Sequence, residues 1–150
     1  MISYKKMSLF DAPKGSFLIH AANAEGIWGS GIAAEIKKRY SSQEAHYKKY
    51  ASLLGSCVYQ PHTKDDHVIV NLITSSLDSK SPDQEDLILL NTTLALNNFF
   101  QNYGIPDPVY CNKFNSGIFR VPWNKTELIL KTLAERHYVD VIVCDPNLEE

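Results

Sequence analysis

The run His67-Val-Ile-Val-Asn-Leu-Ile-Thr74 constrains this chain more than any other feature. It is rich in β-branched residues and apolar at both alternating sets of positions, apart from Asn71. A strand with one wet face alternates between apolar and polar, whereas a run apolar on both faces predicts a central strand covered on both sides. Other short runs read as companion strands. These are Phe17 to Ala21 after the turn signal Pro13-Lys14-Gly15, Cys57-Val58-Tyr59 stopped by Pro61, Val109-Tyr110-Cys111, and Val139 to Cys144. Helical segments separate them. Ile32, Ile36 and Tyr40 lie four apart, with Lys37, Lys38 and Arg39 near the end where the helix dipole favours cations. A second helix is expected from Glu44 to Leu54, ending near Gly55. A long amphipathic helix runs from about Asp83 to Tyr103, with Leu87, Leu90, Leu94 and either Asn97 or Asn98 as its repeating stripe. The last runs from Thr126 to His137, with Pro122 suited to its first turn. Strands alternating with helices, without repeat or linker, predict a single domain over 1–150. Its fold is expected to be α/β, a three-layer α/β/α sandwich with a mostly parallel or mixed central sheet.

Composition narrows the function. Fifteen basic and 17 acidic residues leave a net charge of −2. A binder of nucleic-acid backbones needs a basic stripe that this balance does not supply, so no nucleic-acid partner is expected. One small anion held by backbone amides remains compatible. No apolar stretch approaches the ~20 residues of a membrane span, and Met1 to Lys6 lacks the apolar core of a signal peptide. Cys57, Cys111 and Cys144 are odd in number and far apart, as expected of buried thiols in a cytoplasmic protein. The five histidines show no ligand spacing, so neither a metal nor a cofactor is expected. The chain is expected to be a monomer.

Two loops stand where an open α/β sheet binds ligands, between strand ends and helix starts. The first runs from His20 through Asn23, Gly26 and Trp28 to Gly29-Ser30-Gly31-Ile32. Its small residues let a ligand approach the backbone, and the helix start adds partial positive charge, together a neutral means of holding phosphate. Gly29 to Ala34 also fits the Gly-x-Gly-x-x-Ala dinucleotide pattern, but several residues separate it from the strand that should feed it directly. A nicotinamide-dependent oxidoreductase is therefore the weaker reading. Trp28 is either a plug beneath the loop or a wall of the groove, and Asn23 either bonds a ribose hydroxyl or caps its own loop. The second loop, Asn115 to Arg120, offers amides at Ser116, Gly117, Ile118 and Phe119. Phe119 either stacks on the ligand or fills the core. Arg120 either pairs with phosphate or points to solvent.

The two loops together resemble those of macrodomains, the ADP-ribose-binding modules. Within them, the pattern His20-x-x-Asn23-x-x-Gly26-x-Trp28-Gly29-Ser30-Gly31-Ile32-Ala33 is similar to the small stand-alone phosphatases of fungi and bacteriophages that act on ADP-ribose 1″-phosphate. Asn115-Ser116-Gly117-Ile118-Phe119-x-Val121-Pro122-Trp123 resembles their second phosphate loop, and Leu72 to Ser76 and Asn91 to Leu96 their middle. The resemblance implies a groove with the diphosphate on the Gly29–Ala33 and Ser116–Arg120 amides, and the distal ribose near Asn23, with His20 close by. Ala21 and Ser75 join the implied ligand-binding set. The adenine is placed near the N-terminal turn. There Met7 and Ser8 stand where macrodomains carry Gly-Asp or Gly-Asn, and Asp11 is a substitute. The Lys/Asp pair of related glutamate-directed hydrolases is missing, since Ser75, Ser76 and Phe119 occupy those places.

Dephosphorylation of ADP-ribose 1″-phosphate then requires a positioned phosphate, stabilised charge and an oriented water. His20 is the first candidate acid–base, or else a hydrogen-bonded histidine at a strand end. Asp78 or Asp83 is the carboxylate candidate, Asp83 being equally suited to cap a helix. Activity on ADP-ribosyl esters is a possible extension. A reader that binds ADP-ribose without chemistry is the alternative.

Overall fold

A computed structural model describes residues 1–77, 84–102, 105 and 108–149. Among them, six strands form one sheet: β1 (Ile2–Lys5), β2 (Phe17–Asn23), β3 (Cys57–Val58), β4 (Val68–Ser75), β5 (Val109–Cys111) and β6 (Val141–Cys144). Their order is β1-β6-β5-β2-β4-β3. All neighbours are parallel except β3, which runs antiparallel to β4. The helices are α1 (Gly31–Arg39), α2 (Ser41–Tyr50), α3 (Gln84–Phe100) and α4 (Trp123–His137). The sheet is mixed and sandwiched, as the sequence predicts.

The period-two alternation of the strands builds two cores. Phe17, Ile19, Val68, Val70 and Leu72 face α3 and α4, where Leu96, Phe99, Leu130 and Leu133 meet them. Leu18, Ala22, Ile69 and Ile73 face the opposite way, onto Ile36, Tyr40 and Tyr47 of α1 and α2. Every residue of β4 is buried, which is why its sequence lacks a polar face. Each large aliphatic side chain so enclosed contributes roughly 1.5–3 kcal/mol.

One sequence expectation fails and one strand was missed. The leucine stripe of α3 faces solvent: Leu87, Leu90 and Leu94 are 43%, 55% and 51% exposed. The buried face carries Ile88, Asn91, Thr92, Ala95, Leu96 and Phe99 instead. Asn91 and Thr92 turn inward because Asn91 Nδ2 donates to the Thr74 carbonyl and Thr92 Oγ1 accepts from Asn115. Hydrogen bonds to neighbouring elements outweigh a periodicity count. β1 was also not legible as a strand. It is a short edge element whose Ile2 and Tyr4 alone are turned toward the core. Smaller differences lie at the ends: α2 begins at Ser41, α4 at Trp123 with Pro122 as its N-cap, and the final strand at Val141.

This topology locates a crevice. From β2 the chain crosses to β4 on one side, while β5 lies against β2 on the other. The loops leaving the carboxyl ends of β2 and β5 therefore emerge side by side at a switch point of the sheet, where open α/β folds admit ligands.

Candidate functional site

A cleft of about 380 Å³ opens at that switch point, within the size range of small-molecule sites. It is lined by Ala21, Ala22 and Asn23, by Ile27 to Ala33, by Leu77, by Asn112 to Asn115, and by Gly117, Ile118 and Phe119. Both loops singled out in the sequence thus share one cavity.

The first loop is braced from within. Asn23 closes a ring on its own loop: its Nδ2 donates to the Ile27 carbonyl at 2.8 Å, and its Oδ1 accepts from the Ile27 N–H at 3.0 Å. The Tyr47 hydroxyl sits against the Asn23 carbonyl at 2.8 Å. Asn23 thus caps its own loop, and it also lines the cleft. Gly26 has φ +73°, and a Cβ there would meet the Lys48 Cα at 3.0 Å, so only glycine lets the loop lie on α2. Glu25 fastens the loop to the end of β4, accepting from Ser76 Oγ at 2.7 Å and the Leu77 N–H at 2.9 Å. Partial burial opposes its ionisation, but these two bonds hold its carboxyl below the usual range.

Trp28 lies flat on the Tyr47 ring, with centroids 5.0 Å apart and 12° between planes. It is 2% exposed and lines the cleft, so it is a plug that forms the floor. Its Nε1 donates to Asn71 Oδ1 at 3.0 Å. Beyond it, Ser30 begins α1 without a side-chain cap. The Gly31, Ile32 and Ala33 amides belong to the first helical turn, which has no intrahelical acceptors. They are free donors at the positive end of a nine-residue helix.

The second loop is held by Asn115, whose φ is +67°. Asn115 Oδ1 accepts from Thr74 Oγ1 at 3.0 Å, and its Nδ2 donates to Thr92 Oγ1 at 2.9 Å. One buried side chain thus ties β4, α3 and the loop together. Gly117, Ile118 and Phe119 reach the cleft, Phe119 half-buried and Ile118 exposed.

Several expected site residues lie elsewhere. His20 is fully buried in β2 and does not line the cleft. Its Nε2 lies 2.7 Å from Asn71 Oδ1, an acceptor, so that nitrogen carries the proton and Nδ1 is left without a partner. Burial pushes its pKa down to about 4, despite the opposing bond to Asn71. A neutral imidazole enclosed within the core beside Trp28, with no exposed surface, does not reach a ligand in the cleft, so the structure places His20 in the core. Register explains this: His20 pairs with Asn71 in the middle of the β2–β4 ladder. Ser8 caps the 3₁₀ turn Leu9–Asp11 by accepting from the Phe10 N–H, and neither Ser8 nor Asp11 contributes to the cleft. Ser75 lines a second cavity of about 250 Å³ beside Leu54, Gln84 and Ile88. The Ser116 hydroxyl is buried without a partner, and Arg120 is exposed at φ +58°, outside the lining. Asp78 and Asp83 lie outside the described residues.

Ala22, Ile27, Leu77, Asn112, Lys113 and Phe114 line the cleft and were not singled out. Asn112 to Phe114 were within reach, since they connect β5 directly to the second loop. Lys113 is the sole ionisable side chain among the described lining residues, and its Nζ lies 3.0 Å from Asp145 Oδ2.

No model of a known protein family matches the chain. Individual relatives do. The ADP-ribose 1″-phosphate phosphatase of Saccharomyces cerevisiae is 35% identical over 147 residues, spanning 78% of this chain and 83% of the yeast protein. That of Candida albicans is 30% identical over 152 residues, spanning 92% and 97%. Among solved structures, the macrodomain of Mycobacterium tuberculosis DarG superposes with a TM-score of 0.77 at 22% identity, over 98% of this chain and 99% of that one.

Proposed function

The chain belongs to the ADP-ribose 1″-phosphate phosphatases of macrodomain fold, and from that premise we propose that it hydrolyses ADP-ribose 1″-phosphate to ADP-ribose and inorganic phosphate. The observation that carries this reading is the convergence of two amide-bearing turns on one cleft, in a chain whose net charge of −2 would otherwise repel such a ligand. In this reading the free amides at Gly29 to Ala33, with those at Gly117 to Phe119, hold the diphosphate. The dipole of α1 adds to them. The distal ribose lies toward the β4 side, above Ala21 and the Asn23 ring.

Hydrolysis transfers the phosphoryl group to water: the water oxygen bonds to phosphorus, the sugar oxygen leaves, and a proton moves to it. For such a reaction positioning and charge stabilisation supply most of the acceleration. The floor is Trp28, held from below by its bond to Asn71 and its stacking on Tyr47. The proton-transfer group is a separate matter, because the described lining holds no aspartate, glutamate or histidine. We assign that role to Asp78 or Asp83, and not to His20. The same lining favours a second reading, an ADP-ribose reader without chemistry.

Phosphate release separates the two. The phosphatase reading expects inorganic phosphate from ADP-ribose 1″-phosphate, reduced in Asp78→Asn or Asp83→Asn while ADP-ribose binding persists. Binding of ADP-ribose with no phosphate release leaves only the reader. We further propose a cytoplasmic monomer, in keeping with three free cysteines.

A further inference from the structure

We infer that Glu25 is a positioning residue for the distal ribose: its carboxylate clasps the end of β4 to the first loop and so fixes the width of the cleft where that sugar lies. The inference rests on the ADP-ribose reading of the cleft and goes beyond it by assigning a residue that sets the shape of the site without touching the ligand.

Two apolar lining residues, Ile27 and Leu77, are exposed and are carried by different elements, the first loop and the end of β4. The backbone of Ile27 is fixed on both sides by the Asn23 amide. Leu77 has no such ring. Its N–H donates to Glu25 Oε1 at 2.9 Å, while the neighbouring Ser76 Oγ donates to Glu25 Oε2 at 2.7 Å. Bonds to an ionised carboxylate are the stronger kind, and Glu25 stands only two residues before Ile27. One side chain therefore ties one wall of the cleft to the other. Neither the sheet nor packing supplies that tie. The β2–β4 ladder shifts register between Ala22 and Asn23 and ends at the pair Asn23 and Ser75, with a last backbone bond from the Ala24 N–H to the Ser75 carbonyl. Beyond that bond the Glu25 side chain continues the connection that the backbone has stopped making. Ser75 and Ser76 also line the second cavity, of about 250 Å³, so this end of β4 rests partly on empty space instead of on close-packed side chains. A wall held in this way takes its position from the clasp.

Calorimetric titration with ADP-ribose and with ADP tests this, because ADP keeps the adenosine and the diphosphate and lacks the distal ribose. The wild-type protein is expected to bind ADP-ribose more tightly than ADP, by about tenfold or more. In Glu25→Ala that ratio should fall by about fivefold or more, since a displaced wall misplaces the sugar, while affinity for ADP stays within roughly twofold. Glu25→Gln keeps an oxygen for the Leu77 N–H, and its nitrogen can donate to Ser76 Oγ, so most of the ratio should persist. A general loosening of the fold weakens both ligands alike and leaves the ratio where it was. An unchanged ratio in Glu25→Ala, with or without equal weakening of both ligands, overturns the inference. So does a loss in Glu25→Gln as large as in Glu25→Ala, because the hydrogen-bonded clasp is then not what acts. A wild-type ratio near unity overturns it without any variant and leaves ADP-ribose binding standing. If the wild-type protein binds neither compound, the ADP-ribose reading falls as well.

Discussion

Replacing Gly31 by glutamate separates the contribution of the first loop to binding from its contribution to the fold. Gly31 opens α1 at φ +57°, and a Cβ built there meets nothing within 4 Å. Two consequences differ in size. The left-handed backbone costs any non-glycine residue roughly 1–2 kcal/mol, or about 2–4 °C of melting temperature per kcal/mol in a domain of this size. Gly31→Ala shares that cost with Gly31→Glu. The glutamate adds a carboxylate facing the cleft. At about 5 Å from one phosphate charge and an effective dielectric near 20, the repulsion is roughly 3 kcal/mol, or on the order of 10²-fold in Kd. Calorimetry with ADP-ribose should therefore show binding near wild type in Gly31→Ala and loss by two orders of magnitude in Gly31→Glu, with similar melting temperatures for the two variants. If Gly31→Glu binds within threefold of wild type, the helix start does not hold the diphosphate. If Gly31→Ala loses binding as completely, backbone geometry and not charge is responsible.

Three further outcomes are expected. His20 titrates near 4 in the folded protein against 6.5 in an unfolded chain, so between those values the unfolded state binds the extra proton. Stability present above pH 6.5 is then lost as pH falls toward 4, by at most roughly 3 kcal/mol. Urea midpoints across that window should decline in the wild-type protein and flatten in His20→Gln, and a pH-independent difference between the two would contradict the burial argument. Asn115→Gly keeps the left-handed backbone but removes the bonds to Thr74 and Thr92. It should cost about 1–3 kcal/mol in chemical denaturation and weaken ADP-ribose binding; unchanged binding would show that the second loop is positioned by something else. Leu90→Gln should leave stability within about 0.5 kcal/mol, whereas Leu96→Ala on the opposite face of α3 should cost about 2–5 kcal/mol. A large loss in Leu90→Gln would return the leucine stripe to a packed interface.

The central strand and both loops were legible because their signals are local. A run apolar on both faces has few homes other than a covered strand, and small residues between a strand and a helix announce exposed amides. What escaped depends on pairings that only the fold supplies. His20 looks like a titrating group until register sets it against Asn71 beneath Trp28. Leu87, Leu90 and Leu94 look like a core stripe until Asn91 and Thr92 are seen to bond to β4 and the second loop.

The Asn71 amide oxygen receives both His20 Nε2–H and Trp28 Nε1–H, while its nitrogen donates to the Val58 carbonyl at 2.9 Å. Altering one member of this arrangement disturbs the bonds of the others. Exchanging the asparagine strands two donors, and exchanging the tryptophan or the histidine removes one of the two protons that hold the amide's orientation. Drift among descendants of this sequence should accordingly carry the trio forward as a block, or replace it as a block, while the exposed leucines of α3 change freely around it.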